Sequence, residues 1–146
     1  MKMIVSSDGS IEETVNDYLF VLDGSQDVTE KAFNEVKDAI LRQLESYQIS
    51  PDKTRIGFAV IGKEQQYSAP SGDSDAIHNA LRRLKLGGGD RRLDQTLYFV
   101  GGRQSADFRK IENRIVVLFM HGSNAEEGKP KLAQAARILY GMKEII

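Results

Sequence analysis

The spacing of apolar residues changes along the chain, and the order of the changes predicts the fold. Tyr18-Leu19-Phe20-Val21-Leu22 is an unbroken apolar run that ends in Asp23-Gly24-Ser25. Such a run suits a strand covered on both faces. From Thr29 to Tyr47 the period becomes helical. Phe33, Val36, Ile40, Leu44 and Tyr47 recur at spacings of three and four, with charges between them. Asp27, followed three residues later by Glu30, reads as the start of that helix. Ser50-Pro51-Asp52 closes the unit. The stretch RIGFAVIG, Arg55 to Gly62, is a second buried strand, and Gln65 to Ala69 a short edge strand closed by Pro70-Ser71-Gly72. Asp73 to Leu86 is helical through Ile77, Leu81 and Leu84, and Gly87-Gly88-Gly89 breaks it. Asp90 stands where it would cap a third helix with Leu93, Leu97 and Val100 inward, followed by Gly101-Gly102. Ile115 to Met120 (IVVLFM) is the most hydrophobic strand and ends in His121-Gly122-Ser123. A last helix runs from Lys131 to Met142 through Leu132, Ala135, Ala136 and Leu139. Strands alternating with helices predict an α/β fold of three layers, with a mostly parallel sheet, helices on both faces and right-handed crossovers.

The length of 146 residues fits a single domain over residues 1–146 with a proper core. A net charge of −1 gives no overall field for nucleic acid or an anionic membrane, and Arg82-Arg83 and Arg91-Arg92 read as ordinary helix-face and loop-end pairs. No cysteine is present, which removes disulfides, thiolate metal sites and cysteine nucleophiles. No apolar run reaches the roughly 20 residues of a membrane span.

In open α/β sheets, ligands sit beyond the carboxyl ends of the strands. Polar clusters occupy those loops: Asp23-Gly24-Ser25-Gln26-Asp27, Gly87-Gly88-Gly89-Asp90 and His121-Gly122-Ser123-Asn124. The carboxylates of Asp23, Asp27 and Asp90 would repel one another unless a cation or an arginine lay nearby. Simpler roles exist for each. Asp27 and Asp90 can cap helices, Asp23 can accept loop amides, and His121 can be a surface loop residue. The Gly triplet lacks the Lys-Ser/Thr ending of a phosphate loop. Ser25, His121 and Asp23 could be drawn as a hydrolase set, but no G-x-S-x-G elbow accompanies them.

The apolar strand ending in Asp23-Gly24-Ser25, the Gly87-Gly88-Gly89 loop, the strand ending in His121-Gly122 and the Pro51-Asp52-x-Thr54-Arg55-Ile56-Gly57 lead-in resemble a von Willebrand factor type A (VWA) domain over Asp17 to about Met142. The resemblance implies a Rossmann-like fold and a metal-ion-dependent adhesion site at Asp23, Ser25, Asp27, Asp90 and His121. Asp23 and Ser25 keep the family's residue types; Asp27, Asp90 and His121 stand where the family has serine, threonine and aspartate. The expected function is therefore a protein-binding adhesion or scaffold module, not an enzyme, without the usual Mg²⁺ chemistry and without a cofactor. The alternative is a divalent cation (Mg, Mn or Ca) held by Asp23, Ser25, Asp27 and Asp90 that captures a carboxylate ligand. A histidine at the site would favour Mn²⁺, Zn²⁺ or Ni²⁺. A small hydrolase is a third, weaker reading. The expected partner is a protein, with no nucleic acid and no membrane insertion. The resemblance places the chain outside the cell, with the cytoplasm as the alternative.

The family's chain continues past its fifth major helix into another buried strand, then a last helix, whereas this chain stops at Lys143-Glu144-Ile145-Ile146. Residues 1–16 carry Met3-Ile4-Val5 and an acidic helix start, and are expected to supply that strand beside Ile115–Met120. The order would then be circularly permuted, or would span a tandem-repeat junction. If the short connection back to Tyr18 could not cross the sheet, a domain-swapped homodimer would result.

Overall fold

The computed structural model describes residues 15–111, 113–120 and the strand 144–145. Among the described residues the sheet has five strands: β1 (Asn16–Asp23), β2 (Thr54–Ile61), β3 (Gln66–Ser71), β4 (Asn113–Phe119) and β5 (Glu144–Ile145), in the order β3-β2-β1-β4-β5. β1 is central and pairs in parallel with β2 and with β4, so Phe20 lies opposite both Phe58 and Val117. Only β3 runs antiparallel. The three described helices are α1 (Glu30–Leu44), α2 (Ser74–Arg83) and α3 (Leu93–Asp107).

The alternation of side chains along the strands builds the two outer layers. Tyr18, Phe20 and Leu22 of β1 point one way with Ile56, Phe58 and Val60 of β2. They pack against Phe33, Ile40 and Leu44 of α1 and Ile77 and Leu81 of α2. Leu19, Val21, Ala59 and Ile61 point the other way, against Leu97 and Val100 of α3 and against Phe108. Both faces of β1 are thus buried, which is why Tyr18 to Leu22 is apolar without interruption.

Several local details differ from the sequence reading. β3 runs on through Pro70 and Ser71, and α2 ends at Arg83 and not at Leu86. Thr29, not Asp27, caps α1, its hydroxyl accepting from the Ala32 amide at 3.1 Å. α3 begins at Leu93, and the Thr96 amide donates to the Arg92 carbonyl, so Asp90 is too far upstream to cap it. α3 also continues through Gly101-Gly102 to Asp107. Its C-terminal end is held by the sheet edge: the Tyr67 hydroxyl donates to Asp107 at 2.8 Å, and Arg103 pairs with the same carboxylate at 2.8 Å one helical turn away. Those anchors outweigh the cost of the glycines. A Cβ at Gly102 would meet nothing within 4 Å. Gly102→Ala is therefore expected to stabilise the protein by about 0.5–1 kcal/mol, read as a higher urea midpoint with unchanged slope.

Asp107 is pushed up by burial but more than compensated by hydrogen bonds from Arg103 and Tyr67, which hold it below the usual carboxylate value. A depressed folded-state value contributes stability above the unfolded value and loses it as the pH falls through the folded one. Asp107→Asn is accordingly expected to flatten the stability–pH curve below about pH 4.

β3 carries Pro70 at the sheet edge, where no ladder donor is required and the register shifts between Ile56 and Phe58. Gly57 of β2 lets β3 come close. A Cβ there would lie 2.4 Å from the Ser68 carbonyl oxygen and 2.7 Å from the Pro70 nitrogen.

At the amino ends of the strands, Arg109 clamps the sheet to the loop before β2. Its backbone amide donates to Asp17 Oδ2 at 2.7 Å and its Nε to Oδ1 at 2.9 Å. Its terminal nitrogens donate to the carbonyls of Asn16, Lys53 and Pro51 at 3.0, 2.7 and 3.2 Å.

The edge of β4 expected to receive residues 2–6 instead carries Glu144–Ile145 in parallel register, Ile115 opposite Glu144 and Val116 opposite Ile145. The chain between β4 and β5 is long enough for an ordinary parallel crossover, whereas the link from residues 2–6 back to β1 is near the lower limit. The N-terminal segment 1–14 and the helix expected at Lys131–Met142 lie outside the described residues.

Candidate functional site

The carboxyl ends of β1 and β2 and the loop before α3 meet at one end of the sheet. Asp23 ends β1 and is 4% exposed; Ser25 follows at 1%. Asp23 Oδ1 accepts from the Ser25 amide at 3.1 Å, which fixes the turn. The Gly24 carbonyl accepts from the amides of both Gly87 and Gly88, at 2.9 and 3.0 Å. The Gly89 carbonyl accepts from the Gln26 amide, and the Gly88 carbonyl from the Lys63 amide, both at 2.8 Å. The glycines are required here. Gly88 and Gly89 have φ of 65° and 70°, which side-chain-bearing residues rarely adopt. The triplet is thus a backbone bridge between two strand-end loops. With the amides of Gly87 and Gly88 spent on Gly24, it is not a phosphate cradle.

The decisive side chain is Arg91. Its Nε lies 2.6 Å from Asp23 Oδ2, with the Arg91 side chain 11% exposed and that of Asp23 1% exposed. The two groups approach as charges without aligning as a hydrogen bond, and Ser25 Oγ has no hydrogen-bond partner among the described residues. Neighbouring Arg92 is turned away, its guanidinium forked onto Asp94 at 3.2 Å to each oxygen. That bond, with the charge of Asp94, raises Arg92 above its ordinary value.

Of the residues singled out from sequence, Asp23 and Ser25 are brought together and buried. Asp27 and Asp90 are both exposed. Asp90 accepts a long 3.5 Å contact from the Gln26 amide group, so the two exposed carboxylates belong to stitched loops without converging on Asp23. His121 lies outside the described residues. Arg91 was visible in the sequence only as half of an arginine pair. The signal that could have found it was the need of a buried carboxylate at Asp23 for an opposite charge.

The match to known families decides the assignment. The model of the von Willebrand factor type A domain matches residues 17–142, most of the chain. The chain belongs to the VWA family. This VWA domain is 26% identical to the human collagen alpha-1(XX) chain over 129 residues, 84% of the domain and 10% of that collagen. It is also 26% identical to the human collagen alpha-5(VI) chain over 117 residues, 75% of the domain and 4% of that chain. The domain therefore spans a tenth or less of these relatives' length. Among solved structures, the VWA domain of SpRpn10 superposes with a TM-score of 0.63 at 17% identity, covering 85% of this chain and 68% of that one. That likeness concerns the fold.

The VWA fold implies a divalent cation at these loops, and the residues described there do not fit one. Asp23 Oδ2 and Ser25 Oγ are buried polar atoms free to ligate, but a guanidinium already lies against the first. No three His, Asp or Glu side chains converge among the described residues. Mg²⁺ takes six oxygen ligands in near-octahedral array.

Proposed function

We propose that this VWA domain is an adhesion or scaffold module that binds a protein through the loops at the carboxyl end of its sheet, without a divalent cation. The observation that carries this reading is the Gly24–Gly87–Gly88 bridge. It makes the Asp23–Asp27 and Gly87–Arg92 loops one preformed surface. A preformed surface loses little conformational entropy on binding. Gln26, Asp27 and Asp90 are exposed side chains it offers. Relatedness to collagen chains supports an extracellular setting. A catalytic reading has little support. Among the described residues, a cavity of about 210 Å³ between α1 and α2 is lined by Asn34, Lys37, Asp38, Leu41, Leu81 and Arg82, away from Ser25. It is smaller than the roughly 300–1,000 Å³ of usual ligand sites.

The test is solid-phase binding to a panel of immobilised extracellular-matrix proteins, with and without EDTA. Binding that survives EDTA and is lost in Asp27→Lys/Asp90→Lys supports the proposal. Binding abolished by EDTA would favour cation-dependent capture of a carboxylate ligand instead.

A further inference from the structure

We infer that Arg91 is the built-in cation of this domain: its guanidinium holds the place at Asp23 that a divalent ion would otherwise take. The inference rests on the reading that the strand-end loops form the binding surface, and it names what fixes their charge. A buried carboxylate requires an opposite charge or a set of donors, and among the described residues Asp23 receives one amide hydrogen bond, on Oδ1. Oδ2, the oxygen available to a cation, faces Arg91 Nε at 2.6 Å. The pair is nearly shielded from water, so the guanidinium is not a solvated side chain that happens to pass by. Its backbone is also placed for this role. Arg91 follows Gly89 and Asp90, and Gly89 is tied to the Gln26 amide two residues beyond Gly24. The same glycine bridge that joins the loops therefore delivers the arginine to the end of β1. Ser25, whose amide is bound to Asp23, also carries a buried Oγ without a hydrogen-bond partner among the described residues, and no third acidic or histidine ligand joins them there.

An arginine in this place has consequences that a metal does not. Its charge is supplied by the chain itself. The counter-charge at Asp23 is then independent of divalent ion concentration. Arg91 acts through Asp23 and the loop it anchors, as a positioning residue.

The prediction concerns the response of the melting temperature to MnCl2 and MgCl2 in the isolated chain, which requires no binding partner. The wild type should melt at the same temperature with and without millimolar metal. Arg91→Ala should melt lower, and millimolar MnCl2 should raise it by several degrees. The vacated space leaves Asp23 Oδ2 and Ser25 Oγ to hold a cation that keeps most of its waters. Asp23→Asn in the Arg91→Ala background should abolish the metal response. Arg91→Lys should restore metal indifference, because the ammonium supplies the charge. If Arg91→Ala does not fold, Arg91→Gln takes its place with the same expectation. A wild type stabilised by MnCl2 as strongly as Arg91→Ala would overturn the inference, as would an Arg91→Ala protein indifferent to both metals. Either result would leave protein binding through these loops standing. Failure of the solid-phase assay would conversely leave the charge role of Arg91 untouched.

Discussion

Arg109→Ala is expected to cost about 3–5 kcal/mol of folding stability, the range for breaking one partner of a buried ion pair. Asp17 is fully buried, and the guanidinium of Arg109 is its counter-charge, at 2.7 Å. Removing the side chain would leave the carboxylate with the Arg109 amide as its remaining bond from that residue. It would also strip donors from the carbonyls of Asn16, Lys53 and Pro51. Arg109→Lys should recover only part of the loss, since an ammonium cannot reproduce the fork that spans these acceptors. Urea unfolding followed by far-UV circular dichroism measures this directly. A loss below about 1 kcal/mol would show that the clamp is a solvated surface contact.

Phe20→Ala should destabilise by a similar amount, about 3–5 kcal/mol, through a different mechanism. Phe20 is fully buried at the middle of the central strand. Its ring lies 5.8 Å from Tyr18, 6.1 Å from Phe58, 6.4 Å from Tyr47 and 5.8 Å from Phe119, centroid to centroid. Truncation removes one ring from a cluster contributed by three strands and the end of the α1 unit, and the sheet backbone cannot collapse into the void. Phe20→Leu should cost much less. If Phe20→Ala and Phe20→Leu melt together, the cluster is loosely packed and this account of the core fails.

The central strands were legible in the sequence because burial on both faces leaves no polar alternation to confuse the period. Tyr18 to Leu22 and the Arg55–Gly62 stretch show this most clearly. Helix ends were less legible. Asp27 and Thr29 are both capping residues two positions apart, and only the turn after Ser25, where the Val28 amide donates to the Ser25 carbonyl, decides for Thr29. The run of α3 through Gly101-Gly102 defeats local propensity because Tyr67 holds Asp107 from outside the helix and Arg103 holds it from one turn before, within the helix. Within the candidate site, Asp23 and Ser25 could be picked out because they end a buried strand. Arg91 could not, since the reach of a long side chain follows from where a glycine loop is tied down, not from spacing. The Asp17–Arg109 clamp joins residues 92 positions apart and left no local trace.

The central claim, that the loops at the carboxyl end of the sheet form a binding surface that needs no divalent cation, is tested most directly by calorimetric titration of the wild-type chain with MgCl2. The account predicts no saturable heat, because Arg91 already neutralises Asp23 and no cluster of three acidic or histidine side chains forms among the described residues. A saturable isotherm of micromolar affinity that disappears in Asp23→Ala would contradict it.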